Sequence, residues 1–141
     1  MPQIAKNMEN RYLFRGKRID NGEWVEGYLS YPFCTKKGNE SYYFYAKDSL
    51  GFFCRCVVDA STICRCTGRE DMNSKLIFEN DIVKCLYNCY GEKYVYIGKV
   101  IYREDTCRFV AANSESTDYE WWDEEQEVIG NVFDNPELLE V

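Results

Sequence analysis

The chain has 141 residues and not one histidine. That absence removes the commonest general base and the commonest metal ligand at neutral pH, and it makes Ser-His and Cys-His nucleophilic pairs impossible. Proline is scarce, with three residues in all, and no Pro-, Gly- or Ser-rich stretch marks a linker. No apolar run reaches the length of a membrane span; the longest, Tyr42 to Ala46, is strand-sized. The N-terminus, MPQIAKNMENRYLFRGK, lacks the apolar core of an export signal, so the expected compartment is a reducing bacterial cytoplasm, with no membrane attachment. Neither GxGxxG nor a P-loop pattern occurs, which leaves no Gly-rich cradle for phosphates. Carboxylates abound, but a two-carboxylate hydrolase needs a cleft that a small β-domain seldom supplies. Together these absences predict a protein that is not an enzyme and carries no cofactor.

What is present favours strands. Apolar residues make up 45% of the chain, enough for a core, and twelve tyrosines with eight phenylalanines suit pleated, half-buried surfaces. Arg11 to Arg15 reads as a first strand, with Tyr12 and Phe14 on one face and Arg11, Leu13 and Arg15 on the other. Asp20-Asn21-Gly22 predicts a hairpin with positive φ at Asn21 and Gly22, and Glu23 to Leu29 is the partner strand. After a loop at 35–40, strands follow near Tyr42 to Ala46 and Phe52 to Val58, separated by Asp48-Ser49-Leu50-Gly51, and Thr62 to Thr67 leads into a turn-rich segment. In Asp81 to Tyr87 the odd positions Val83, Cys85 and Tyr87 share one face, with Lys84 on the other. Asn88 to Glu92 turns that strand into a long one, Lys93 to Arg103, in which Gly98 predicts a bulge or sharp bend. Strands at 107–112 and Val128 to Phe133 follow, and Asn135 before Pro136 predicts an N-capped helical turn over 136–140.

Two motifs carry more than periodicity. The segment TGREDMNSKLIFENDIV (67–83) joins a turn to a short apolar run, Leu76-Ile77-Phe78, and a second turn, Glu79-Asn80-Asp81. Read with IGNVFDNPELLE (129–140), it resembles the YopX family of phage and prophage proteins, to which the resemblance assigns no chemistry. The family usually carries glycine where this chain has Ser74 and Asn80. Asn visits the left-handed region readily, whereas Ser does so less easily, so the first turn is expected to be reshaped. The five short strands of the second half suit an SH3-like barrel, which the resemblance also implies. The fold expected is mainly β with little helix: an N-terminal antiparallel β-rich region at 1–66 and an SH3-like barrel region at 67–141, as two regions or as one compact unit.

Eight cysteines invite a metal hypothesis, above all Cys54-Arg-Cys56 and Cys64-Arg-Cys66. The two pairs are symmetric about Ala60, so antiparallel pairing would set Cys56 opposite Cys64 and Cys54 opposite Cys66. Residues two apart on a strand lie roughly 6.5 Å apart, whereas sulfurs around tetrahedral zinc lie about 3.8 Å apart. The expectation is therefore no metal and no disulfide, with the cysteines as small buried apolar residues and Arg55 and Arg65 pointing outward.

Net charge is −7, yet residues 1–69 carry 11 Lys/Arg against 7 Asp/Glu and residues 70–141 carry 6 against 17. The acid gathers in DYEWWDEEQE (118–127), where six carboxylates surround Tyr119, Trp121 and Trp122. Such a strip can stack and neutralise a basic or proline-containing peptide, receive the basic half of a second copy, or simply place Trp122 in a core. The contact between copies uses both halves of the charge split. On the basic side, Arg11, Arg15, Lys17 and Arg18 lie near Tyr12, Phe14 and Trp24, raw material for binding single-stranded nucleic acid. A pI near 4.7 works against that reading, and a solvated strand face is the plainer one. The sequence thus predicts an accessory protein that self-assembles or binds a host or phage protein through Tyr119, Glu120, Trp121, Trp122, Asp123 and Glu124. Its alternative is a nucleic-acid-binding module using the N-terminal half.

Overall fold

The structure, a computed structural model, describes residues 10, 12–34, 40–47, 50–113 and 125–140. They form antiparallel strands with almost no helix, interrupted by two short 3-10 turns, Ala60–Thr62 and Pro136–Leu139. The chain divides into two compact units, Met1–Cys66 and Thr67–Val141.

In the first unit, β1 (Phe14–Lys17), β2 (Trp24–Cys34), β3 (Glu40–Lys47) and β4 (Phe53–Val58) form an antiparallel run, with the opening residues of β5 (Cys64–Glu70) on the other side of β1. The first strand begins later than its sequence suggests because the Leu13 N–H donates to the Asn10 carbonyl and holds the chain in a turn. The hairpin after β1 is wider than Asn-Gly predicts. The Arg18 carbonyl accepts from Gly22 N, Arg18 N donates to Glu23 O, and only Gly22 has positive φ (72°). Two side chains hold that loop open: Asn21 Oδ1 accepts the Glu23 N–H at 2.9 Å, and the Asp20 carboxylate takes two hydrogen bonds from Arg18, at 2.9 and 2.6 Å. Strand β2 carries Pro32, which has no N–H to give, where its register with β3 shifts between Leu29 and Pro32.

Alternation along these strands builds the core. Phe44, Ala46, Cys56 and Val58 are buried on one face, with Phe14, Val25, Tyr42 and Ile63 packed against them. Burying one such large side chain contributes about 1.5–3 kcal/mol. The strands pack closely enough that a Cβ at Gly27 would lie 2.5 Å from the Tyr45 carbonyl oxygen. Beyond β1, Arg18 forms a bridge to Val58, Ile19 N donates to Val57 O, and Asp59 N donates to Lys17 O. The run β1 to β4 therefore curls until its first and last strands meet at one point.

The cysteine symmetry does not survive this topology. Strand β4 pairs with β3, setting Cys56 opposite Phe44 and Cys54 opposite Ala46, while Cys64 faces Arg15 across β5 and β1. Sequence symmetry about Ala60 requires β4 and β5 to be neighbours, and β3, β2 and β1 come between them. Cys56, Cys64 and Cys66 are buried and Arg55 and Arg65 are exposed, as expected, whereas Cys54 is only half-buried.

In the second unit the end of β5 neighbours β6 (Leu76–Phe78), where Thr67 Oγ1 donates to the Ile77 carbonyl at 2.7 Å. Strands β7 (Asp81–Cys89), β8 (Glu92–Arg103), β9 (Arg108–Ala112) and β10 (Glu125–Asn131) form a sheet in the order β10-β7-β8-β9. Val83 and Cys85 point into a core with Ile77, Val100 and Ala111, so the odd-position reading of β7 holds. Among the described residues no closed barrel is found.

Gly98 is not a bulge. It sits in register with Val83, and a Cβ there would meet Ala112 O and N at 2.9 and 3.0 Å, so glycine serves close strand approach. The irregularity falls instead between Val128 and Gly130 of β10. That strand stops at Asn131, whose Oδ1 accepts from Phe133 N and Asp134 N and turns the chain. Pro136 opens the terminal 3-10 turn, but Asn135 does not cap it; its side chain reaches back to Asn131 N at 3.3 Å.

The turn at 71–75 is not reshaped. Ser74 takes φ 64° and Asn80 φ 67°, so both occupy the left-handed conformation that glycine would adopt at no cost.

Candidate functional site

Strand alternation gives the N-terminal sheet a second face, opposite its core. Phe14 and Gly16 turn toward Phe44 and Val58, so Arg15 and Lys17 project the other way, beside Glu26 and Trp24 respectively. Tyr28 pairs with Tyr45, and Tyr45 with Arg55. These residues, with Phe53 on β4, form one surface on which aromatic and cationic side chains alternate across four strands.

The cations lie against rings. The Arg15 guanidinium carbon is 4.6 Å from the Trp24 ring centroid and Lys17 Nζ is 5.2 Å from it; the Arg55 guanidinium is 4.6 Å from the Tyr43 centroid. Such contacts keep a cation's charge while holding its side chain in place. Arg15 is buried, at 8% exposure, which corrects the expectation of a solvated basic strand. Arg18 also leaves that set, because Asp20 neutralises it through the hydrogen bonds of the hairpin loop, which raise the arginine pKa and lower the aspartate's.

Between these side chains lies a groove of about 680 Å³, bordered by Arg15, Trp24, Glu26, Tyr28, Tyr45 and Phe53 among others. Three of its aromatic walls remain open to solvent: Tyr28 is 38% exposed, Tyr45 45% and Phe53 60%. Large aromatics left exposed on one sheet face are the informative exception to burial. Among the described residues, Glu26 supplies the one carboxylate of the groove wall.

Trp24, Arg15 and Lys17 were legible as neighbours from the sequence. Tyr28, Tyr45, Phe53 and Glu26 were not singled out, and Arg55 was read only as pointing outward, although their period-two spacing (Trp24-Glu26-Tyr28, Tyr43-Tyr45, Phe53-Arg55) signals a shared face. The acidic strip residues Tyr119, Glu120, Trp121, Trp122, Asp123 and Glu124 lie outside the described residues, as does Arg11.

Elsewhere, no group of three or more Cys, Asp or Glu side chains placed to hold a metal is found among the described residues. Burial raises the Cys56 thiol and pushes Cys85 up to about 12, which keeps both protonated and unreactive. Among the described residues, no helix is long and apolar enough to cross a membrane.

No curated protein matches the sequence. Residues 13–140 match the family described as YopX protein. That span contains both the turn-to-strand motif at 67–83 and the C-terminal motif at 129–140, and it takes in the aromatic groove: the chain belongs to the YopX family.

Proposed function

We propose that this protein is a non-enzymatic accessory protein of phage or prophage origin that works in the bacterial cytoplasm by binding, with the groove face of the N-terminal sheet as its contact surface. One observation carries this reading: Tyr28, Tyr45 and Phe53 stand exposed around a groove whose lining cation, Arg15, is held against the Trp24 ring, with Lys17 and Arg55 held against rings on the same face. A surface with rings exposed and charges positioned in advance loses little side-chain entropy on binding. The C-terminal unit is read as an SH3-like element, supported by five strands, β6 to β10, that pack Ile77, Val83, Cys85, Val100 and Ala111 into one core. Self-association belongs to the same proposal, since the chain's basic and acidic halves complement each other between copies.

The experiment is affinity capture from host lysate, with and without nuclease, beside native mass measurement of the purified chain. Phe53→Ala and Tyr45→Ala are expected to change either the captured set or the particle mass while leaving the circular dichroism spectrum intact. If both variants capture the same set at the same mass as the parent chain, the groove face is only surface and the reading fails.

A further inference from the structure

We infer that the groove binds single-stranded nucleic acid, with bases stacking on Tyr28, Tyr45 and Phe53 and the strand's phosphates meeting Lys17 and Arg55; this rests on the reading of that face as a contact surface. The first ground is the type of surface. Exposed rings on neighbouring strands offer a set of flat faces, and every base has a π-face to place against them. Tyr28 and Tyr45 are register partners on β2 and β3, and Phe53 stands on β4, so the rings follow one another across the sheet. A duplex keeps its bases stacked on each other, so it cannot use such a platform without unpairing.

The second ground is charge. Lys17 sits in register with Trp24 and Arg55 with Tyr45, so each cation lies next to a ring rather than in a separate patch. Arg15 borders the groove itself. Among the described residues the groove wall itself carries Arg15 and Glu26, so the surplus positive charge comes from Lys17 and Arg55 on the same sheet face beside it. A carboxylate there repels phosphate but accepts from a base N–H, such as thymine N3–H or a cytosine amino group, which turns the bases toward the groove and the backbone toward the cations. A polyanion therefore finds its complement here, although the chain as a whole is acidic.

That overall acidity also sets the character of the binding. Long-range attraction is weak, so stacking supplies most of the affinity and counterion release little. Neutralising two phosphates on a single strand gives a slope of log K against log salt of about −1.4.

The test uses the full-length chain and a fluorescein-labelled oligothymidylate of about 12 nucleotides, followed by anisotropy, with a duplex of equal length as the comparison. The single strand is expected to bind more tightly than the duplex, with a shallow salt slope. Phe53→Ala and Tyr45→Ala should each weaken binding about tenfold, and Arg55→Gln should weaken it less while flattening the slope. Circular dichroism confirms that each variant folds, and Tyr45→Phe, which keeps the ring, should retain affinity. No binding at low salt, equal binding of duplex, or full affinity in Phe53→Ala overturns the inference. If the oligonucleotide fails while Phe53→Ala still alters protein capture or native mass, the occupant is a protein and only the nucleic-acid inference falls. If neither changes, the contact surface falls with it.

Discussion

The carboxylate of Asp71 accepts the backbone N–H of Val128 at 3.0 Å through Oδ2, while its Oδ1 takes Asn73 N at 2.8 Å and Lys75 N at 2.9 Å. One side chain thus closes the turn of the family motif and ties it to strand β10, next to the bulge. Two backbone bonds accompany it, Met72 N to Gln126 O and Asp71 N to Lys75 O. Asp71 is buried, and burial, the largest single influence on its carboxyl, pushes the pKa up. The donors on Val128, Lys75 and Asn73, together with the Lys75 charge, outweigh it and hold the carboxyl below its ordinary value.

Asp71→Asn keeps the shape but replaces one acceptor by a donor facing the Val128 N–H. The expected cost is about 2–3 kcal/mol in urea denaturation. The sign of the pH effect follows from the depressed folded value. Stability from Asp71 is complete above about pH 4, where the unfolded carboxyl is ionised, and is lost as pH falls through the lower folded value. The Asn variant should lose that acid-limb dependence; a parallel pH curve for both proteins would contradict the assignment.

Ser74 and Asn80 pay for a left-handed backbone that glycine adopts freely. Ser74→Gly should raise stability by about 1 kcal/mol, and Asn80→Gly by less, because Asn tolerates the region better. Ser74→Val should destabilise. A destabilised Ser74→Gly would mean that the serine hydroxyl matters more than the strain.

The β7–β8 hairpin turns on Tyr90 and Gly91, with φ of 51° and 83°, between the paired residues Cys89 and Glu92. That is a type I′ turn, whose preferred first residue is Asn, and Tyr90 is fully exposed with no packing to lose. Tyr90→Asn is expected to stabilise the second unit by about 0.5–1 kcal/mol, read as a shift of the thermal midpoint. No shift, or a fall, would count against the turn assignment.

Thiol alkylation at pH 8 should divide the cysteines by position. Cys89 and Cys107 are exposed and should react first. Cys85, buried with its pKa pushed up to about 12, should react only through opening of the β7–β8 core. Peptide mapping reads the order, and a Cys85 that matches the rate of Cys89 would refute the packing described.

Much of the strand plan was legible in the chain. The unbroken apolar run of β3 and the apolar patterning of β4 and β7 were strong enough to place these strands within a residue or two. Local sequence failed where a distant partner decided the outcome. The mirrored cysteines suggested pairing, but which strands become neighbours depends on β1 and β3, not on symmetry about Ala60. Gly98 announced a special backbone position without saying which kind; Ala112 on β9 decides it. Asn21-Gly22 has strong turn chemistry, yet the Arg18–Asp20 contact and the Asn21 side chain selected a wider loop. The groove was half-visible for the same reason. Arg15, Lys17 and Trp24 are close in sequence, whereas Tyr28, Tyr45 and Phe53 come together only through register across β2, β3 and β4.

The bridge from Arg18 to Val58 has a consequence for solubility. Strand β4 ends the run β1 to β4, and a sheet rich in exposed tyrosine and phenylalanine with an unpaired terminal strand is a template for other chains to add to. Ile19 N and Asp59 N spend their hydrogen bonds across that junction, on Val57 O and Lys17 O. The far end of β4 is therefore already occupied by the chain's own first strand. The Val57–Val58 end of that edge is thus closed to an added strand.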